Sequence, residues 1–298
     1  MVRTIGNPLS WTAAAFGRGA HRVGVGTSEL GGEHGAVVQI RDLTADDVKL
    51  ALRKGMEDFT ALRTDVIFIV LIYPVLGLLL VWFALNTNLL PLAFPLISGF
   101  ALLGPVAAIG LYEMSRRREL GMETSLGDGF AVINSPAFAP VLVLGFYLFA
   151  MFVAWMISAY YIYYLTLGPE APSSISGFIS DIFTTGAGWA MLIIGVIVGF
   201  FFAALVLATS VVSFPLLIDR HVGVPHAVVT SMELTKRNPG TVALWGLVVV
   251  VMLGIGAVTF FIGMIIVLPV LGHATWHLYR RAVVPLEPAA PEPEVMPS

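Results

Sequence analysis

A chain of 298 residues that is 57% hydrophobic and only 12% charged, with a net charge of −3, is composed for a lipid environment; a soluble domain carries roughly 25% charged residues. The near-neutral balance leaves no basic footprint, and no nucleic-acid partner is expected. With no cysteine in the chain, disulfides, Cys-ligated zinc, iron–sulfur clusters and cysteine nucleophiles are excluded.

Residues 1–43 are rich in glycine without a sustained period and read as a flexible cytoplasmic tail. The stretch WTAAAFGRGA at 11–20 is interrupted by Gly and Arg, so it lacks a signal-peptide core, and the first apolar segment is expected to act as the insertion signal. Thr44 and Asp47 have capping-box spacing. Val48, Leu52, Met56, Phe59 and Leu62 then recur at helical spacing, with Lys49, Arg53, Lys54 and Arg63 on other faces. This pattern predicts an amphipathic helix against the inner leaflet, leading into a first span.

Six apolar runs follow, at about 66–86, 89–112, 139–166, 187–218, 241–260 and 261–279. A helix crosses the hydrocarbon core in about 20 residues. All 16 Lys and Arg residues fall before the first run, between the second and third, between the fourth and fifth, or after the sixth. Basic residues are retained in the cytoplasm during insertion, so the partition predicts six spans with both ends inside. The setting this implies is a bacterial inner membrane. Short amphipathic stretches also precede span three (Leu126, Phe130, Ile133) and span five (Ala227, Val228, Met232, Leu234). Asn134 stands before the first of these hairpins, and Asn238 and Pro239 before the second. The even spans each carry a late proline: Pro105, Pro215 and Pro269. The predicted fold is an all-α membrane domain over 44–285, made of three pseudo-repeated hairpins, each preceded by a cytoplasmic amphipathic helix. Residues 286–298 (LEPAAPEPEVMPS) are expected to be a disordered cytoplasmic tail.

The strings SFPLLIDR, AVVTSMELTKRNPGTVALWGL and IVLPVLGHATWHLYRR, between Ser213 and Arg281, resemble the bacterial inner-membrane family catalogued as domain of unknown function number 2189. The resemblance extends back to about residue 45. It implies a helical membrane bundle and brings no catalytic motif. Some members of that family carry the label of cytochrome c oxidase subunit I. A haem–copper core needs several histidines on different spans, whereas spans one to five hold none, so the label is not supported as a catalytic assignment.

His273 and His277, at i and i+4, share one helix face and are the candidate metal or haem ligands. The structural alternative places His277 among interfacial aromatics and buries His273 on a carbonyl freed by Pro269. Lys49, Arg53, Lys54, Arg116, Arg117 and Arg118 are candidate contacts for lipid headgroups. Glu113 is expected to pair with Arg116 or Arg117. Pro105, Asn134, Pro215, Asn238, Pro239 and Pro269 are assigned to structure. In the outer loop 166–186, Ile175, Phe178, Ile179, Ile182 and Phe183 predict a short surface helix and a partner contact.

There is no phosphate loop, Rossmann fingerprint or HExxH in the chain. The leading expectation is a non-catalytic membrane protein without a cofactor. It would be an accessory, assembly or lipid-organising component, with the phospholipid membrane and a larger, respiratory-type complex as partners. The alternatives are a facilitated carrier for a small neutral or lipid-like molecule, with a cavity lined by Thr209, Ser210, Ser213 and His273, and a haem or metal protein using His273 and His277.

Overall fold

A computed structural model describes residues 38–70, 72–85, 89–220 and 222–284. The carboxyl-terminal tail, most of the amino-terminal one, and His21, His34 and His221 lie outside the described residues. The helices are α1 (Ala45–Val70), α2 (Ile72–Leu85), α3 (Ala93–Leu102), α4 (Gly104–Ala107), α5 (Ile109–Glu119) and α6 (Phe138–Thr166). They continue with α7 (Ile175–Thr184), α8 (Gly186–Ser210), α9 (Ser213–Asp219), α10 (Val224–Arg237), α11 (Pro239–Val258) and α12 (Met264–Ala282). Single 3-10 segments occupy Leu90–Leu92 and Leu126–Asn134. Among the described residues there is no sheet, only an isolated antiparallel bridge between Ile40 and Val283.

Three segments are long and apolar enough to cross a membrane: Phe138–Thr166, Gly186–Asp219 and Pro239–Val258. At about 1.5 Å per residue, 20 residues reach about 30 Å, the thickness of the hydrocarbon core. Their large apolar side chains face outward. Phe146 on α6, Phe200 on α8 and Val250 on α11 are 64%, 73% and 64% exposed. Soluble proteins do not display such continuous apolar surface. The chain is an integral membrane protein.

The other three expected spans are less regular. Residues 66–86 are shared between the end of α1 and α2, and 89–112 is divided among a 3-10 turn, α3, α4 and the start of α5. Pro105 sits in the first turn of α4, where a missing N–H costs nothing. Pro215 lies in α9, just past the turn at Val211 and Val212 that separates α9 from α8. Pro269 is accommodated inside α12. The stretch before span three is a 3-10 segment, opened by a capping box between Ser125 and Asp128.

The buried core lies at the arginine-bearing end. There α1, α5, α9, α10 and the second half of α12 enclose Met114, Phe214, Leu216, Leu234, Trp276, Leu278 and Tyr279. The capping box expected at the start of α1 is present: the Thr44 N–H donates to Asp47 Oδ2 at 2.9 Å and the Asp47 N–H to Thr44 Oγ1 at 3.4 Å. The face α1 buries is largely the expected one: Val48 and Leu62 are buried and Leu52 and Phe59 pack against the core, while Met56 is exposed. Ala51, Gly55 and Asp58 are buried beside them, facing α12. A Cβ on Gly55 would stand 2.6 Å from the backbone nitrogen of Ala274, so only glycine admits this approach. Residues 38–43, assigned to the tail, are held too. The Arg41 N–H donates to the Ala282 carbonyl (2.8 Å) and the Val284 N–H to that of Gln39 (3.0 Å).

Candidate functional site

Where α1, α5 and α12 meet, a polar cluster is sealed in the core. Each helix presents its members by simple periodicity. Ser115 and Arg118 are three apart on α5, and His273 and His277 four apart on α12, so each pair shares a face. Asp58 comes from the buried stripe of α1. Asp58, Ser115, His273 and His277 are all buried, Ser115 and His273 completely.

Ser115 Oγ lies 2.6 Å from Asp58 Oδ2 and 2.7 Å from His273 Nδ1. His277 Nε2 stands 2.9 Å from the same Asp58 oxygen, and Arg118 Nη1 donates to Asp58 Oδ1 at 2.9 Å. Burial pushes the Asp58 carboxyl up, but the hydrogen bonds from His277 and Ser115 outweigh it and hold the group below its ordinary value. Asp58 is therefore a carboxylate, and the protons can be placed by counting. Ser115 has one proton. Were it given to His273, two oxygens 2.6 Å apart would face each other with none between them. It goes to Asp58, so the Nδ1–H of His273 donates to Ser115 and the Nε2–H of His277 to Asp58. His273 Nε2 makes no hydrogen bond of normal geometry among the described residues.

This arrangement has the residue types of a hydrolytic triad without its logic. A serine nucleophile gives its proton to a base and meets substrate at about 3 Å. Ser115 gives its proton to an ionised carboxylate and has no exposed surface. The cluster joins three helices.

Ion pairs ring it. Glu113 binds Arg116 through two hydrogen bonds of 2.8 Å and Arg117 through a third. Arg117 also meets Asp128 at the start of the Leu126–Asn134 segment. Glu119 receives Trp276 Nε1 (2.9 Å) and Arg280 Nε (3.1 Å). The Tyr279 hydroxyl donates to Asp219 at 2.5 Å, and Arg281 Nε to Asp47 at 2.7 Å. The Arg281 bond and those from Thr44 hold the Asp47 carboxyl down against the opposing effect of its burial. Asn238 does more than cap a helix. Its Oδ1 accepts the Leu43 N–H at 2.7 Å and its Nδ2 donates to the Arg41 carbonyl at 3.2 Å, tying α10 to the entry of α1.

His273 and His277 do share a face, but His273 meets Ser115 rather than a carbonyl freed by Pro269. Among the described residues no group of three or more His, Asp or Glu side chains is placed to hold a metal ion. Arg116, Arg117 and Arg118 turn to carboxylates of their own chain, and Glu113 pairs with both Arg116 and Arg117. Lys49 pairs with Asp46 at 3.0 Å, Arg53 Nε lies 3.8 Å from Glu57, and Lys54 is exposed. Asn134 ends its 3-10 segment and Pro239 opens α11. Thr209, Ser210 and Ser213 donate to backbone carbonyls, at 2.8, 2.6 and 2.6 Å respectively. Asp58 and Ser115 were not singled out by sequence reasoning. The signal that would have found Asp58 is the small-residue stripe Ala51, Gly55, Asp58, which marks the helix-packing face of α1.

Residues 93–219 match the family model described as "Predicted integral membrane protein (DUF2189)". The match lies upstream of where the resemblance was expected to be strongest, sharing only Ser213–Asp219 with the strings between Ser213 and Arg281. It runs from α3 through α9, so of the buried cluster it takes in Ser115 and Arg118 but not Asp58, His273 or His277. The DUF2189 stretch thus supplies one wall of the cluster, and α1 and α12 supply the others. No curated protein and no solved structure matches the chain.

Proposed function

We propose that this protein is a six-span component of a bacterial inner membrane with no reaction of its own, serving in the assembly or lipid organisation of a larger membrane complex. Both termini lie in the cytoplasm in this reading, because every Lys and Arg falls in the connections on that side. The first half of α1 and all of α10 then lie at the cytoplasmic interface as helices that pack on the bundle and present charge outward.

One observation carries the non-catalytic reading. The titratable cluster is sealed, and its hydrogen bonds are spent within the chain. Neither of two surface grooves touches it. One is wholly apolar, of about 420 Å³, lined by Leu76, Leu79, Leu80, Trp82, Phe83, Leu96 and Phe152. The other, of about 490 Å³, lies between Val38, Ile40, Glu233, Lys236 and Arg237. A binding or catalytic pocket brings a few convergent polar groups into a concave apolar site, and here the buried cluster of Asp58, Ser115, His273 and His277 lines neither groove.

Native mass spectrometry of the protein released gently from its own membrane tests this reading. Co-release with other polypeptides is the expected result, and their identity would name the complex. A single chain carrying one stoichiometric small-molecule adduct would overturn it in favour of a carrier or a metal protein, with the adduct mass giving the class.

A further inference from the structure

The connection between α6 and α8 folds as α7, ten residues long, and its surface divides into three sectors. At about 100° per residue, Phe178 and Ile182 form one sector; Phe178 is buried edge-on against Tyr163, with centroids 6.3 Å apart. Ser176, Ser180 and Thr184 form another, exposed and polar. Between them runs an exposed apolar stripe of Ile175, Ile179 and Phe183. The stripe adjoins the sector packed on the bundle, so the apolar arc of α7 is shared between protein and surroundings.

The helix is held firmly at both ends. Ser174 caps its start by accepting the Gly177 N–H at 3.0 Å. At its end, Thr185 donates to the Asp181 carbonyl at 2.7 Å and accepts the Gly188 N–H at 2.9 Å, closing α7 and opening α8 with one side chain. A Cβ on Gly188 would stand 2.1 Å from the Asp181 carbonyl oxygen, so α8 leaves α7 at an angle that glycine alone permits. The stripe is also continuous with lipid-facing surface. The exposed Trp189 ring on α8 lies 6.2 Å from that of Phe183, nearly perpendicular to it, and its Nε1–H donates to the Phe183 carbonyl. Tyr160, Tyr161 and Tyr164 are exposed on the last turns of α6. Aromatic residues collect where a bilayer meets water.

We infer that α7 is an interfacial anchor that lies in the headgroup layer at the arginine-free end, with Ile175, Ile179 and Phe183 in the acyl boundary and Ser176, Ser180 and Thr184 toward water. Its partner is an uncharged or zwitterionic lipid surface: residues 166–186 contain Glu170 and Asp181 and no Lys or Arg, so nothing there recruits anionic headgroups. The inference rests on α6 and α8 crossing the membrane, as in the proposed function.

The absence of cysteine makes the test direct. Single variants Ile179→Cys, Phe183→Cys, Ser180→Cys and, on the exposed side of α8, Ile197→Cys would be nitroxide-labelled in the full chain and placed in phosphatidylcholine nanodiscs. Relaxation by oxygen, which concentrates in the bilayer, is compared with relaxation by a water-soluble nickel chelate. Labels at 179 and 183 should favour oxygen, at a shallower depth than the label at 197, while the label at 180 favours nickel. Nickel-accessible labels at 179 and 183 would put the stripe in water and overturn the inference. Labels there that meet neither reagent would put a protein surface on it, a second copy included, and overturn it equally. If the label at 197 also reads as aqueous, the membrane-spanning reading fails rather than the anchor alone.

Discussion

The two ends of this bundle hold together by different physics, and individual helices pass from one regime to the other. On α8, Phe200 and Phe201 are exposed, yet Val206, Thr209 and Ser210, two turns further on, are buried. On α12, Ile266 is exposed and nearly everything from Val270 to Tyr279 is buried. At the apolar end the surrounding lipid is as hydrophobic as the side chains, so exposure costs little and many apolar replacements are equivalent. At the arginine-bearing end the side chains meet one another, and each polar group depends on a particular partner. The lesson is that the sensitivity of this protein is concentrated where its charges are, although most of its mass is apolar.

The largest effect is expected from Asp58→Ala. It leaves Arg118, His277 and Ser115 without their common acceptor, and breaking a buried ionic contact in this way costs about 3–5 kcal/mol. Thermal unfolding in detergent reads it, and an unchanged midpoint would mean that the cluster is not the keystone of this end. The same carboxylate gives a pH dependence. Its folded-state value is depressed, so its contribution is complete above the unfolded carboxylate value of about 4 and is lost as the pH falls through the lower folded value. The stability of Asp58→Asn should therefore change less between pH 6 and pH 3 than that of the parent chain.

Next is the apolar end, probed by Val250→Arg on the exposed side of α11. A charge at mid-membrane costs about 2.5–3.5 kcal/mol of insertion free energy. Glycosylation-mapped insertion should fall accordingly, whereas Val250→Leu should leave it unchanged. Equal tolerance of the two would contradict the assignment of this face to lipid.

Gly55→Leu sharpens the boundary between the regimes. Its Cβ would stand 2.6 Å from the Ala274 nitrogen and 2.7 Å from the Val270 carbonyl oxygen, so α1 must move off α12, for about 1–3 kcal/mol or more. Loss of a cysteine cross-link engineered between α1 and α12 would report the movement. The smallest change is expected from Lys49→Ala, whose partner Asp46 is as exposed as Lys49 itself; it should shift stability by less than about 1 kcal/mol.

What was legible in the chain follows the same division. The apolar runs that became α6, α8 with α9, and α11 could be read directly, because crossing a bilayer is nearly a sum over single residues. The Thr44–Asp47 box and the pairing of Glu113 were legible for a related reason: both depend on neighbours within one turn. The full width of the buried face of α1 was not. Hydropathy marked Val48, Leu52, Phe59 and Leu62, which are buried or packed on the core, but it included the exposed Met56 and passed over Ala51 and Gly55, the small residues that let α12 approach. The pairing of Arg117 with Asp128 and of Arg118 with Asp58 was not legible, because those carboxylates lie on other segments.

The sequence by itself determined that this is a membrane protein and where its three long apolar segments fall, since those properties depend on composition along a single segment. Only the tertiary structure decided that Asp58, Ser115, Arg118, His273 and His277 form one buried hydrogen-bonded unit. Their meeting depends on how three helices are rotated about their own axes, and that rotation is set by side-chain packing between segments as many as 219 residues apart.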